Sequence, residues 1–219
     1  GERHALIGPN GAGKSTLFNL ASGRDAPTHG TIRLHGADVT GLPPHALYAR
    51  GLARSFQVTN VFPTLTVFDN LRCAGLRALG HGHAFWKSLD RLPDVAARAE
   101  ETLSRIGLAA RRDSAAGMLS YAEQRALEIG ITIAGGANVI LLDEPTAGMN
   151  RAETAAAVAL IRAVTRDCTL LMVEHDMGVV FDLADRITVL VQGEVVASGT
   201  PDAIRANAAV REAYLGALA

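Results

Sequence analysis

Apolar positions along the chain fall into two rhythms. Continuous β-favouring runs at 5–7, 139–142 and 170–173 lack the alternation of a half-solvated strand and predict strands covered on both faces, as in a parallel sheet. Helical spacing follows the first run over 15–21 and fills 151–165 between the other two. Strand, helix and strand in that order imply a right-handed parallel crossover. Shorter strand-like pieces at 31–34 and 52–56 flank turn-rich text at 36–44. From about 64 to 134 the pattern becomes helical, with segments at 67–79, 93–106 and 122–133. Beyond His175 a helix is predicted near 178–184, then strands at 187–191 and 195–197 flanking Gly193-Glu194 as a hairpin. The expected fold is α/β with a mostly parallel sheet, built from 1–60 and 135–219, with an α-helical subdomain inserted at about 61–134.

Composition narrows the class without naming a function. Of 219 residues 48% are hydrophobic and 20% charged, with a net charge of −1. That balance suits a folded globular chain and gives no reason to expect a nucleic-acid partner. No run approaches the roughly 18–20 apolar residues that span a bilayer. Cys73 and Cys168 stand far apart without metal-ligand spacing and read as small hydrophobes in a reducing compartment. The chain opens only a few residues before its first motif, so an N-terminal portion, with the first strands of the fold, is expected to be missing.

Lys14 and Lys87 are the only lysines, and Lys14 falls within Gly8-Pro9-Asn10-Gly11-Ala12-Gly13-Lys14-Ser15. Two glycines spaced five positions apart, then lysine and a hydroxyl residue, form a phosphate-binding loop. Glycines let successive N–H groups face an anion and the following helix adds its positive end. Lys14 reaches the outer phosphates, and Ser15 can ligate Mg²⁺. Asn10, Gly11, Ala12, Gly13, Lys14, Ser15 and Thr16 are therefore the candidate nucleotide-binding residues. Asp143 and Glu144 emerge from the carboxyl end of the run at 139–142, where open α/β sheets bind ligands. Asp143 would hold Mg²⁺ and Glu144 would polarise an attacking water. Alone, such a pair is more often a solvated helix start; beside a phosphate loop the functional reading prevails.

The loop does not choose among GTPases, small-molecule kinases, helicases and transporter motors. Neither lysine is preceded by asparagine, so the guanine-reading Asn-Lys-x-Asp is absent. The deciding segment is Leu119-Ser120-Tyr121-Ala122-Glu123-Gln124, which resembles the signature of ABC ATPases in the form found in branched-chain amino-acid importers. Arg54-Ser55-Phe56-Gln57 is similar to their glutamine loop. Asp143 through Asn150 resembles the second nucleotide motif and dimer loop, and Val173-Glu174-His175-Asp176 the switch histidine.

That resemblance implies a P-loop NTPase core, ATP and Mg²⁺, and a site shared by two ATPase subunits, identical or different. Glu144, His175 and Gln57 would be catalytic, and Ser15, Gln57 and Asp143 would serve the metal. Ser120, Ala122 and Glu123 would meet the nucleotide of the opposing subunit. Integral membrane permeases would be direct partners and an external solute-binding protein an indirect one, with the chain peripheral on the cytoplasmic face. Phe62 and Phe68 would lie near the permease's docking groove. The chain departs from the subgroup at Ala122, where glycine is usual: if positive φ or close backbone approach to phosphate is needed there, the methyl costs roughly 1 kcal/mol. Asn150 replaces aspartate, and the adenine-stacking aromatic belongs before the phosphate loop. A soluble ABC ATPase serving DNA repair or translation, and a low-turnover regulatory module, remain open at this stage.

Overall fold

Residues 1–55, 61–82 and 89–212 are described by the structure, a computed structural model. The strands in chain order are β1 (Arg3–Ile7), β2 (Arg33–Leu34), β3 (Ala37–Asp38), β4 (Leu52–Arg54), β5 (Val139–Asp143), β6 (Thr169–Val173), β7 (Arg186–Val191) and β8 (Glu194–Gly199). The helices are α1 (Lys14–Ala21), α2 (Pro44–Tyr48), α3 (Val67–Ala78), α4 (Pro93–Arg105), α5 (Tyr121–Ala134), α6 (Arg151–Val164), α7 (Met177–Leu183), α8 (Pro201–Ala206) and α9 (Ala208–Val210).

By compactness, residues 1–54, 139–144 and 168–219 form one unit and residues 55–138 and 145–167 another. Among the described residues the first holds a six-stranded sheet in the order β4-β5-β6-β1-β7-β8. Its strands run parallel except for β8, which returns antiparallel beside β7. The apolar runs are buried as their lack of alternation predicts: Ile7, Leu141, Leu142, Leu170 and Met172 are at most 1% exposed. Phe18 of α1 and Leu47 of α2 join Leu6, Leu52, Leu141 and Val173 in one core. The closing hairpin turns on Gln192 and Gly193, both at positive φ (49° and 85°), so Glu194 already belongs to β8. The turn sits one residue earlier than the sequence suggests, because a right-twisted hairpin needs left-handed residues at both central positions.

Two local expectations change. The piece at 31–34 supplies only a two-residue strand, paired with β3 in a separate ribbon. The strand expected over 52–56 ends at Arg54, with Ser55 outside it and Phe56 beyond the described residues. The turn-rich stretch leads directly into α2, started by Pro44 at its first position, where the missing N–H costs nothing.

The second unit is helical. Val67 and Leu71 of α3, Ala99 and Leu103 of α4, and Leu127 and Ala134 of α5 form its core. Helix starts are specified locally. The Thr66 hydroxyl accepts from Asp69 N at 3.0 Å ahead of α3, and complete capping boxes begin α5 (Ser120 with Glu123) and α6 (Asn150 with Glu153). Compactness groups α6 with these helices, whereas the sequence reading keeps 135–219 whole. Leu160 of α6 packs against the helical core, and Arg105 of α4 donates to the Val164 carbonyl at 3.2 Å.

Leu71 is fully buried. Leu71→Ala should therefore lower unfolding free energy by about 2–5 kcal/mol through lost burial and a residual cavity. Urea denaturation measures this, and a loss well below that range would mean that the α3 face is not packed as described.

Candidate functional site

Strands β1, β6 and β5 are neighbours and in step: Leu6 is level with Val173, and Val173 with Asp143. The residues following each strand are therefore delivered to one end of the sheet, the carboxyl end, where ligands of open α/β folds bind. The phosphate loop leaves β1, Glu144 leaves β5, and Glu174 and His175 leave β6. Residues 10–16 with Glu144, Val173 and His175 line one cavity of about 290 Å³.

The loop's shape is set by what its glycines permit. At Gly8 a Cβ would lie 2.0 Å from the Leu190 carbonyl oxygen of β7, so only glycine lets β1 end so close to its neighbour. Gly13, at φ 97°, turns the chain into α1 from a left-handed conformation, and among the described residues no side chain caps that helix. The first amides of α1 are thus left to another acceptor, which an anion would supply. On the far side of the loop, Gly193 N donates to the Ala12 carbonyl at 2.9 Å.

Lys14 is 6% exposed, and its ammonium donates to the carbonyls of Gly8 (2.8 Å) and Pro9 (2.9 Å). Burial pushes its pKa down from the ordinary lysine value, and the Glu144 carboxylate pulls it partly back. A buried cation held by neutral carbonyls beside uncapped amides matches a multiply charged anion such as a polyphosphate.

Glu144 departs from strand geometry at once. Its φ is 48°, a left-handed value uncommon for a residue with a side chain, while its N–H donates to the Val173 carbonyl at 2.9 Å. Glu144 Oε1 lies 2.8 Å from His175 Nε2. Backbone strain of this kind is retained where surrounding structure fixes it, and it gathers at functional sites. The turn carrying His175 is held on both sides. The buried Glu174 carboxylate accepts from the N–H groups of His175 (2.9 Å) and Asp176 (3.4 Å). Asp176 in turn caps α7 by accepting from Gly178 N at 2.7 Å.

Asp143, one residue before Glu144, is buried, and its Oδ2 accepts from Arg54 Nη2 at 2.9 Å. Arg54 Nη1 donates to Asn19 Oδ1 (2.7 Å) and Ser22 Oγ (3.0 Å), and its guanidinium lies 5.5 Å from the Phe18 ring centre. In the sequence Arg54 stands only as part of the segment resembling the glutamine loop, with no role of its own. The available signal was a cation directly after the apolar pair Leu52-Ala53. Among the described residues no group of three or more His, Cys, Asp or Glu side chains gathers as an all-protein metal cage. One hydroxyl, Ser15, and one carboxylate, Asp143, suit a hard cation that completes its shell with water and phosphate, as Mg²⁺ does.

Ser120, Ala122 and Glu123 stand in the second unit, at the start of α5. The Ser120 hydroxyl accepts from Glu123 N at 3.3 Å, and Glu123 accepts from Ser120 N and from Arg111 Nε, each at 2.9 Å. The Ser120 amide, then Arg111, holds the Glu123 carboxyl below its ordinary pKa. Ala122 lies within the right-handed turn of α5. The feared strain at φ above zero therefore does not arise, and alanine favours the helix over glycine by about 1 kcal/mol. Tyr121 donates its hydroxyl to the Ala147 carbonyl at 3.1 Å, a tie the sequence does not disclose. Phe62 is 59% exposed, but Phe68 belongs to the helical core with the Arg112 guanidinium 3.7 Å from its ring centre, so only Phe62 can face a partner. Gln57 lies outside the described residues.

A family model described as "ABC transporter" matches residues 1–147, and one described as "Branched-chain amino acid ATP-binding cassette transporter" matches residues 194–218. The chain is 38% identical to the high-affinity branched-chain amino acid transport ATP-binding protein BraF of Pseudomonas aeruginosa, over 97% of this chain and 86% of BraF. Among solved structures it is similar to the ADP conformation of an ATP-binding cassette of an ABC transporter, at 25% identity and a TM-score of 0.82, covering 98% of this chain and 88% of the other. It is also similar to a cassette in a dimeric post-hydrolysis state bound to ADP and Pi, at 25% identity and a TM-score of 0.73, covering 91% and 85%. Sheet order, loop geometry, motif order and family model agree, and the chain belongs to the ABC transporter ATP-binding family, within which it is similar to the branched-chain amino acid cassettes.

Proposed function

We propose that this chain is the ATP-hydrolysing subunit of an importer for branched-chain amino acids or a related solute. It would work as one of a pair of cassettes beneath membrane permeases that receive solute from an external binding protein. The observation that carries this reading is the convergence of the phosphate loop, Glu144 and His175 on one cavity. Among the described residues no helix is long and apolar enough to cross a membrane. In this reading the passage belongs to the permeases, and the chain docks on their cytoplasmic face. Relatives named as transport subunits favour this over a repair or translation ATPase.

The amides of residues 10–16 and the Lys14 ammonium would hold the β- and γ-phosphates by donating to their oxygens. Ser15 and Asp143 would hold Mg²⁺, which when bound supplies charge neutralisation at those oxygens. Glu144 would orient a water for in-line attack on the γ-phosphorus and accept its proton as the new P–O bond forms and the β–γ bridging bond breaks. His175, paired to Glu144, would fix the carboxylate and donate to the γ-phosphate. Gln57 would serve the metal and the lytic water. The α5 start of the opposing subunit would close the site: the Ser120 hydroxyl accepts within its own capping box, so its O–H can still donate to a phosphate oxygen.

Glu144→Gln keeps the shape of the side chain and removes its basicity. Turnover should fall by at least about 100-fold while nucleotide binding persists, as steady-state phosphate release and fluorescent-nucleotide titration would show. Hydrolysis at the parent rate would overturn the role of Glu144. Ser120→Asp keeps a good helix cap but sets a carboxylate against the phosphate. Thermal stability should hold while ATP-dependent dimers vanish in light scattering; dimers that survive the change would remove Ser120 from the shared site. Co-purification with an integral membrane permease tests the transport assignment, and a chain that never recovers with one would count against it.

A further inference from the structure

The Arg54–Asp143 pair has no obvious value as a stabilising device. Both side chains are 9% exposed. Taking two charges out of water costs free energy that their attraction repays only in part, so a buried pair often gives less stability than apolar residues of the same volume. Its worth is better sought in what it orients.

Arg54 is the last residue of β4, next to β5 in the sheet, and it reaches two elements at once. One arm donates to Asp143 at the end of β5. The other donates to Asn19 and Ser22 on α1 and at its end, and the guanidinium lies over Phe18 of the same helix. Ser15, Phe18, Asn19 and Ser22 are spaced i, i+3, i+4 and i+7, so they share one helical face. The face that Arg54 grips is therefore the one that begins with Ser15. Because Nη1 is anchored by two acceptors, the planar guanidinium cannot turn Nη2 away from Asp143 without losing both.

Resting on the ATPase reading above, we infer that Arg54 is a positioning residue that braces the helix carrying Ser15 against the strand end carrying Asp143. It fixes the separation of the two groups assigned to Mg²⁺ before nucleotide arrives. Arg54 touches neither metal nor phosphate in this role; it acts through Asp143 and α1. Lysine cannot replace it, since one ammonium on a flexible stem does not span Asn19, Ser22 and Asp143 together.

The test is equilibrium binding of a fluorescent ATP analogue to the parent protein, Arg54→Lys, Arg54→Met and Asn19→Ala, in EDTA and across a Mg²⁺ titration. In EDTA all four should bind alike. The Mg²⁺ concentration giving half of the metal-dependent gain should rise by about 10- to 100-fold in both Arg54 variants, the usual penalty for losing a partner that orients a metal-holding group. Asn19→Ala cuts the brace at its far end and should shift the midpoint the same way by less, which a local ion pair would not predict. Should Arg54→Met fail to fold, Arg54→Lys and Asn19→Ala still carry the test. Unchanged Mg²⁺ midpoints in Arg54→Lys and Asn19→Ala would overturn the inference, as would equal losses with and without Mg²⁺. If the parent itself showed no response to Mg²⁺, the metal role of Asp143 would fall and this inference with it.

Discussion

Parallel strands held in step govern the first unit. Each ladder hydrogen bond between β5, β6 and β1 fixes the level at which its strand ends, and Leu6, Val173 and Asp143 come level. A one-residue slip of any strand would turn its side chains to the opposite face and displace the loop that follows by about 3.3 Å. Such a slip would part Glu144 from His175, which now approach to 2.8 Å. The apolar interior that resists slippage and the polar rim that does chemistry are thus consequences of one constraint.

The rim gathers charges that would be costly anywhere else. Lys14, Asp143 and Glu174 are each at most 7% exposed. Each is met by a different device: Lys14 by loop carbonyls, Asp143 by a guanidinium, and Glu174 by the backbone amides of its own turn. Groups tied down in this way keep their geometry when a polyanion enters, so little reorganisation is required at the moment of reaction. The helical unit uses its polar residues otherwise. Ser120, Glu123, Asn150 and Glu153 specify where helices begin, and Ser120 combines that duty with its candidate role.

Much of this was legible in the chain because the informative signals were local. Apolar runs at 139–142 and 170–173 lie within strands of nearly the same extent, and the helical spacing of 67–79 and 93–106 lies within a residue of α3 and α4. The phosphate loop was legible because its chemistry is carried by consecutive residues. Arg54 was not, since its carboxylate partner is 89 positions away and the register that joins them is a property of the sheet. Glu174 was hidden for the opposite reason. A carboxylate beside a histidine reads as solvated until the turn folds its amides back upon it. Strand β3 and helix α2 were missed because each is too short to show a period.

The amide of Gly193 on the Ala12 carbonyl, with Leu190 against Gly8, joins the phosphate loop to a strand and turn that follow it far along the chain. During synthesis the phosphate loop leaves the ribosome long before its support exists, and β1 has neither neighbour until β6 and β7 have followed it. The nucleotide cradle is thus finished only when β6 and β7 have joined the sheet, although its own residues are translated well before them. A nascent chain would be unable to retain ATP until those strands are in place, so its competence would arrive with the closing hairpin.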